Sequence, residues 1–263
     1  MKHIFAYLLP LSLCLMACAT SNDTNTENQS SATQADTTDL PCQENEPCGN
    51  NQPIMQIDTT GNLYVFRPNF SRVELEVGQM PSKQNDSVIF CAAAAFTLAI
   101  RDTFAYDNIV GAYITHGKHY GQYAADKHYG RFIYMRGNWL FADADNHNAV
   151  DSAMAAGGCM FTQKWIIKDN EIYRPYCALW GHRRNIYRAL CEKDGTLLIA
   201  QCRQSVPFQR FAEALHAYGM NNALYMDMGS GWNHSYYRDN NDSLHILFPH
   251  THNHCTNWLT FYK

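Results

Sequence analysis

The sequence predicts an α+β fold, a single domain in which a largely antiparallel mixed sheet is flanked by helices. Tight reversals between apolar runs are the first observation, and the clearest is Asp194-Gly195 between residues 185–192 and 196–203. The second observation is a helix pattern that starts at Phe208, just after a proline, with apolar residues at i, i+3, i+4 and i+7 before Gly219. Strands and helices follow no regular βαβ period, which argues against a doubly wound parallel sheet.

The chain begins with a segment typical of a secretory signal peptide. Lys2 precedes an apolar run that ends in Leu15-Met16-Ala17-Cys18, and this run is short for a membrane span. Its end resembles the lipobox of bacterial lipoproteins, in which the cysteine receives diacylglycerol and a fatty acid such as palmitate. We therefore expect residues 1–17 to be removed, Cys18 to be lipidated, and the protein to be anchored in the bacterial cell envelope, at the outer membrane. The alternative is an ordinary cleaved signal that leaves a soluble exported protein.

A polar tether and one folded domain are expected to follow. Residues 18–53 consist mainly of Ser, Thr, Asn, Asp, Gln and Glu, so they cannot bury enough apolar surface to offset the entropy of ordering. Residues 54–263 are rich in Tyr, Trp and Phe and are numerous enough for one sizeable core.

Within this domain, residues 72–77 alternate polar and apolar side chains as a half-buried strand does. An apolar strand is predicted at residues 87–91, followed by a second, weaker helix over residues 94–100. Further reversals are predicted at Gly61-Asn62, Gly137-Asn138 and Asp169-Asn170.

Charge and cysteine content restrict the partners. The formal net charge is −4 with Lys and Arg scattered along the chain, which argues against a nucleic acid as the partner. Eight cysteines follow Cys18, and this even number suggests disulfides in an oxidising compartment, with the pairing left open. Cys42 and Cys48, both preceded by proline, are candidates for one small disulfide loop. No cofactor is expected.

The functional interpretation centres on Asp227. An apolar strand over residues 222–226 delivers this carboxylate into a turn that contains Gly229 and Gly231. Such a turn lets backbone N–H groups approach a ligand and form an anion-binding nest. The alternative is an ordinary Asx turn in which Asp227 caps its own backbone.

The order of these motifs resembles the phosphodiester glycosidase family, whose type member is the uncovering enzyme. That family has a Gly-Gly pair before a strand, an Arg-led strand into a Lys-Asp-Gly hairpin, a helix, and an Ala-Leu-Asn-Leu-Asp-Gly-Gly-Gly-Ser stretch. The resemblance covers roughly residues 85–240 and is carried by Gly157-Gly158, Arg183-Arg184, Lys193-Asp194-Gly195, the Phe208 helix and Ala223-Leu224-Tyr225-Met226-Asp227-Met228-Gly229-Ser230.

The resemblance implies hydrolysis of a glycosyl-1-phosphodiester, or of a related glycosidic bond, with a carbohydrate or sugar phosphate as ligand. Asp227 would be the catalytic acid, base or nucleophile, Arg184 would neutralise phosphate charge, and His116 in a glycine-rich loop would carry a proton. Arg184 and Arg188 lie four residues apart, so on one strand they would face the same side. Candidates for the second carboxylate are Asp143 and Asp145. The substrate-binding candidates are Gly157, Gly158, Arg188, Gly229, Ser230, Trp232 and His234.

Two departures from the family leave alternatives open. The family's Asn-Gly-Gly-Phe-Phe stretch corresponds to Ala93-Ala94-Ala95-Phe96, and its glycine triplet is reduced to Met228-Gly229-Ser230. One alternative is therefore a glycan-binding or phosphodiester-binding lipoprotein without turnover. Another is a metal-dependent hydrolase that uses His250, His252 and His254, which would share one side of an extended chain, although no metal site is expected here.

Overall fold

A computed structural model describes residues 52–98, 100, 103–122, 128–249 and 254–263, and all of these belong to one compact unit. The expected signal peptide, Cys18 and nearly all of the tether lie outside the described residues. The helices are α1 (His147–Ala155), α2 (Arg174–Trp180) and α3 (Phe208–Tyr218), with a short 3-10 helix at Tyr106–Asn108. The strands are β1 (Met55–Thr60), β2 (Leu63–Pro68), β3 (Arg72–Val77), β4 (Val88–Ala93), β5 (Tyr113–Thr115), β6 (Lys118–Tyr120), β7 (Tyr129–Met135), β8 (Asn138–Asp143), β9 (Cys159–Lys168), β10 (Glu171–Ile172), β11 (Arg184–Asn185), β12 (Arg188–Lys193), β13 (Thr196–Cys202), β14 (Val206–Pro207), β15 (Asn222–Met226), β16 (Ser235–Arg238), β17 (Leu244–Leu247) and β18 (Asn257–Tyr262).

The strands form two main sheets, and every pair between the named strands is antiparallel. The larger sheet runs β1-β2-β13-β12-β15-β9-β5-β6, with β7 and β10 also paired to β9 and β8 paired to β7. The smaller sheet runs β17-β16-β4-β18-β3, and β11 and β14 form a separate two-stranded sheet. The fold is thus mainly β with three α-helices in the described residues, which is broadly consistent with the expected α+β class.

The two sheets pack against each other over a common apolar core. Leu75 and Leu259 of the smaller sheet share this core with Leu190 and Leu224 of the larger one. The opposite face of the larger sheet is covered by α2 and α3, whose apolar side chains form a second core. Strand β15 lies in the middle of these layers and is buried on both faces, so its C-terminal end is a rigid mount for the residue that follows.

Local turn chemistry confirms several predictions. Asp194 and Gly195 have positive φ angles and join β12 to β13, and the three other reversals connect β1 to β2, β7 to β8 and β9 to β10. Helix α3 has the predicted apolar face and ends at Gly219, whose φ of 86° is favourable only for glycine.

The second predicted helix is wrong. Residues 94–98 follow β4 as a non-helical segment with bends at Ala95 and Leu98, and Thr97 forms an isolated bridge with Ile109. The reason lies in β18, where the buried Asn257 side chain accepts a hydrogen bond from the Ala95 N–H at 2.7 Å and donates one to the Ala95 carbonyl at 3.0 Å. This amide occupies the backbone groups that a helix would use, so a distant residue overrides the local apolar spacing.

The expected disulfides are not found among the described cysteines. All six are buried thiols, and their burial leaves them inside apolar clusters rather than in paired positions. Cys42 and Cys48 lie outside the described residues. Within the described part of the chain, no helix has both the length and the apolar character needed to cross a bilayer.

We expect Asn257→Ala to lower the free energy of unfolding by about 2–4 kcal/mol, because it leaves a buried N–H and a buried carbonyl of Ala95 without partners. Urea denaturation measures this difference, and the exposed Asn138→Ala variant is the control. Equal stability of Asn257→Ala and the wild type would show that Asn257 does not hold the 94–98 segment.

Candidate active site

Asp227 follows directly after β15 and lies between two segments of the chain. Its N–H donates to the Ala94 carbonyl at 3.2 Å, and its Oδ1 accepts from the Gly229 N–H at 3.1 Å. The backbone N–H groups of Thr97 and Met228 also hydrogen-bond to the carboxyl group. The residue is only 6% exposed. Because Thr97 belongs to the segment after β4, the arrangement is more than a local Asx turn.

Burial raises the pKa of this carboxyl group above the usual value for Asp. Desolvation raises the pKa of Asp227 to about 6, although the three backbone donors, led by Gly229, act to lower it. A carboxyl group that titrates close to neutral pH is suited to accept or release a proton during a reaction.

The turn after Asp227 is closed by its own hydrogen bonds. The N–H groups of Trp232 and Asn233 both donate to the Gly229 carbonyl, at 2.9 and 3.1 Å. Gly231 has a φ of 86°, and a Cβ there would lie 2.6 Å from the His254 ring. Several loop amides are therefore engaged inside the loop, which limits the predicted anion nest. Ser230 is exposed at the tip of the turn.

Trp232 and His234 have mainly internal contacts. The half-buried Trp232 ring lies 5.2 Å from the His254 ring and packs on the outer face of the smaller sheet. His234 is buried, and its Nδ1 lies 3.0 Å from the Phe248 carbonyl oxygen. Neither ring forms an open platform for a sugar in this structure.

Arg184 and Arg188 do not face the same side, contrary to the sequence prediction. Arg184 is exposed on β11 and donates to the Ser205 carbonyl at 2.8 Å, whereas Arg188 is wholly buried on β12. The predicted single run over residues 185–192 is broken at residues 186–187, because β11 pairs with β14 and β12 pairs with β13 and β15. The alternation rule therefore does not extend across the break.

Arg188 connects the two sheets. Its Nε and Nη2 groups donate to Gln201 Oε1 at 3.0 and 2.6 Å, and Nη2 also donates to Ser235 Oγ at 2.6 Å. Burial lowers the pKa of Arg188 to about 9. Among the described residues, Asp227 takes part in no ion pair, so neither arginine neutralises it here.

One further residue of this segment, not predicted from the sequence, contacts the Asp227 turn. Asn185 donates from Nδ2 to the Met228 carbonyl at 3.1 Å, which joins β11 to the Asp227 turn. Arg183 lies two residues earlier, is exposed, and holds its guanidinium 5.1 Å above the Trp180 ring. No local sequence pattern indicates the Asn185 contact, because β11 is only two residues long.

His116, Gly157 and Gly158 lie together at a different place. They line a cavity of about 120 Å³ along with Arg72 and Glu74, and none of its lining residues belongs to the Asp227 turn. His116 has a φ of 48° in the turn between β5 and β6. A Cβ on Gly158 would overlap the Tyr134 carbonyl, so close packing accounts for this glycine.

Of the remaining candidates for catalysis or metal binding, His254 lies against the Asp227 turn, where its N–H donates to the Gly231 carbonyl at 2.7 Å. Asp143 forms an ion pair with Lys168 at 2.7 Å, and Asp145 is exposed. His250 and His252 lie outside the described residues. In the part of the chain that the structure describes, no group of three or more His, Cys, Asp or Glu residues is arranged to hold a metal ion.

The acidity of Asp227 predicts a specific pH dependence of stability. An unfolded Asp titrates at about 3.9, whereas the folded carboxyl group titrates at about 6, so the folded state binds more protons between these values. The wild type should therefore lose roughly 2 kcal/mol relative to Asp227→Asn as the pH rises from 4 to 7. Urea denaturation at both pH values measures this loss, with the exposed Asp151→Asn as control. A stability difference that does not change with pH would contradict the buried acid.

Comparison with known proteins gives one informative similarity. No protein-family model and no curated protein sequence matches the chain. Among solved structures, the chain is similar to the zebrafish N-acetylglucosamine-1-phosphodiester alpha-N-acetylglucosaminidase catalytic domain auto-inhibited by its pro-peptide, with a TM-score of 0.56 and 12% identity over 82% of this chain and 85% of that one. A hypothetical protein from Synechocystis aligns over 80% of this chain and 61% of its own, with 10% identity and a TM-score of 0.47. The first similarity shows a distant relationship of fold to the catalytic domain of a phosphodiester glycosidase.

Proposed function

We propose that the protein is a hydrolase that cleaves a glycosyl-1-phosphodiester bond. The observation that carries the proposal is the Asp227 carboxyl group, buried at the end of a central strand and held by backbone donors from two segments, with a pKa of about 6. The distant similarity of fold to a phosphodiester glycosidase supports this class of reaction. The sugar and the alcohol on the phosphate are left open.

A single carboxylate is chemically sufficient for this reaction. A glycosidase normally uses a second carboxyl group to protonate the leaving oxygen, but a phosphate ester leaves as a stable anion and needs no such donor. In the proposed step, Asp227 accepts a proton from water while the water oxygen bonds to C1 of the sugar. The C1–O bond breaks, and its electron pair leaves with the phosphate monoester.

Arg183 is the proposed partner of the phosphate. A guanidinium pairs with phosphate oxygens through two charge-assisted hydrogen bonds. Arg183 is exposed, and its backbone is fixed because its carbonyl accepts from Tyr187 Oη at 2.6 Å and from the Phe208 N–H at 2.9 Å. The Arg183 side chain is therefore attached to a well-held backbone, two residues before Asn185.

We expect the purified domain to hydrolyse at least one methyl phosphodiester in a panel of hexose and N-acetylhexosamine 1-phosphates. Asp227→Asn should lower kcat by roughly 100-fold or more, because it removes the proton acceptor. Asp151→Asn is the matched control and should retain wild-type activity, since this residue lies on the exposed face of α1. Product release is followed as phosphate monoester by liquid chromatography and mass spectrometry.

The competing functions give different results in the same assay. Activity that survives in Asp227→Asn would reject the proposed role of this residue. Binding of the diesters without turnover would support a glycan-binding or phosphodiester-binding protein. Loss of activity with a chelator, restored by a divalent metal, would support a metal-dependent hydrolase.

We also propose that this hydrolase acts in the bacterial cell envelope, anchored through lipid on Cys18, as the lipobox-like sequence at residues 15–18 suggests. Wild-type protein expressed in a bacterium should incorporate radiolabelled palmitate and fractionate with membranes. Cys18→Ser should do neither, because it lacks the thiol that carries the lipid. Membrane association and labelling that persist in Cys18→Ser would reject lipidation at this residue.

A further inference from the structure

Two of the most exposed apolar side chains of the described residues lie beside the candidate active site. Leu98 is 64% exposed and Leu179 is 69% exposed. A single exposed leucine is ordinary on a protein surface, but a group of apolar side chains next to a polar site often marks a ligand-binding surface.

Hydrogen bonds place Leu98 next to an aromatic pair. The Leu98 N–H donates to the Asn108 carbonyl at 2.9 Å and the Phe96 carbonyl accepts from the Val110 N–H at 2.8 Å, so the chain is extended at Thr97. Phe96 and Leu98 therefore project to the same side. The Phe96 ring packs on the Trp180 ring, with 6.3 Å between the ring centroids.

Helix α2 supplies the other half of this surface. Leu179 immediately precedes Trp180 at the end of α2, so it lies one residue from the Phe96–Trp180 pair. We name Phe96, Leu98, Leu179 and Trp180 the apolar rim. All four side chains are partly or largely exposed.

The apolar rim is continuous with the catalytic and cationic groups. Thr97, between its first two members, donates its backbone N–H to the Asp227 carboxyl group. The Phe96 ring also packs on the ring of Tyr225, two residues before Asp227, with 5.5 Å between the ring centroids. The Arg183 guanidinium lies 5.1 Å above the Trp180 ring, so a cation borders the same surface. A ligand that spans these groups would need an anionic centre and an apolar chain.

We propose that the apolar rim binds an alkyl or prenyl chain attached to the phosphate of the substrate. The inference rests on the proposed function and narrows it: the preferred substrates are amphiphilic glycosyl phosphodiesters, with the phosphate at Arg183 and the chain across Phe96, Leu98, Leu179 and Trp180. A short or polar alcohol on the phosphate would leave the apolar rim exposed to water.

The first test compares octyl and methyl phosphodiesters of the same sugar. The wild type should have a kcat/KM about tenfold or more higher for the octyl ester, because several methylene groups leave water on binding. Leu98→Ser and Leu179→Ser should each reduce the octyl-to-methyl ratio about threefold or more. Met154→Ser removes an exposed apolar side chain from α1 and should keep the wild-type ratio. Equal kcat/KM for the two esters would overturn the inference and leave the proposed hydrolase intact.

The second test does not depend on turnover. Isothermal titration calorimetry should show that the domain binds octyl phosphate, below its micellar concentration, at least about tenfold more tightly than methyl phosphate. Leu179→Ser and Arg183→Ala should each weaken octyl phosphate binding, and Met154→Ser should not. This pattern in a protein that hydrolyses no diester would support the apolar rim while rejecting the proposed function. Sedimentation with phosphatidylcholine vesicles that depends on Leu179, without any preference for octyl phosphate, would identify a membrane-contacting surface and overturn the inference.

Discussion

The candidate site depends on the pair of hydrogen bonds between the Asn257 side chain and the backbone of Ala95. Asn257 belongs to the smaller sheet and Asp227 follows a strand of the larger one, so this amide fixes a segment that both sheets share. Because Ala95 is held in place, the Ala94 carbonyl accepts from the Asp227 N–H and the Thr97 N–H reaches the carboxyl group. A buried, fully paired amide specifies one conformation more strictly than apolar packing does.

Sequence reasoning succeeded where the signal was local. Asp194-Gly195 and Gly219 require backbone conformations that few residues adopt, so they located a hairpin and the end of α3. Asp227 was also recognisable, because an apolar strand leads directly into a glycine-containing turn. The buried polar surroundings of this carboxyl group depend on residues more than 100 positions away, and no local pattern reveals them.

The predictions that failed depended on contacts with distant parts of the chain, which local patterns do not show. Apolar spacing over residues 94–100 favoured a helix, but a side chain from β18 binds the backbone there. The choice of Arg184 and Arg188 assumed an uninterrupted strand, and the chain instead changes sheet between them. Gly157 was grouped with Asp227 through the family resemblance and His116 through its glycine-rich loop, whereas both line a cavity to which no residue of the Asp227 turn contributes. Helix α2 and its Trp180 were missed because seven residues give too short a periodic pattern to recognise.

The six buried thiols have a consequence for how such a chain is made. Burial raises the pKa of Cys91 and Cys159 to about 12 and that of Cys177 and Cys202 to about 11, so in the folded state they hold almost no thiolate. Thiolate is the species that attacks oxidants and disulfides, so these cysteines are protected only once the core has closed. If the chain is exported as proposed, it passes through an oxidising compartment with every thiol accessible until then. The yield of folded protein would then depend on whether the core forms faster than the cysteines are oxidised. Slower folding would give more protein with non-native disulfides.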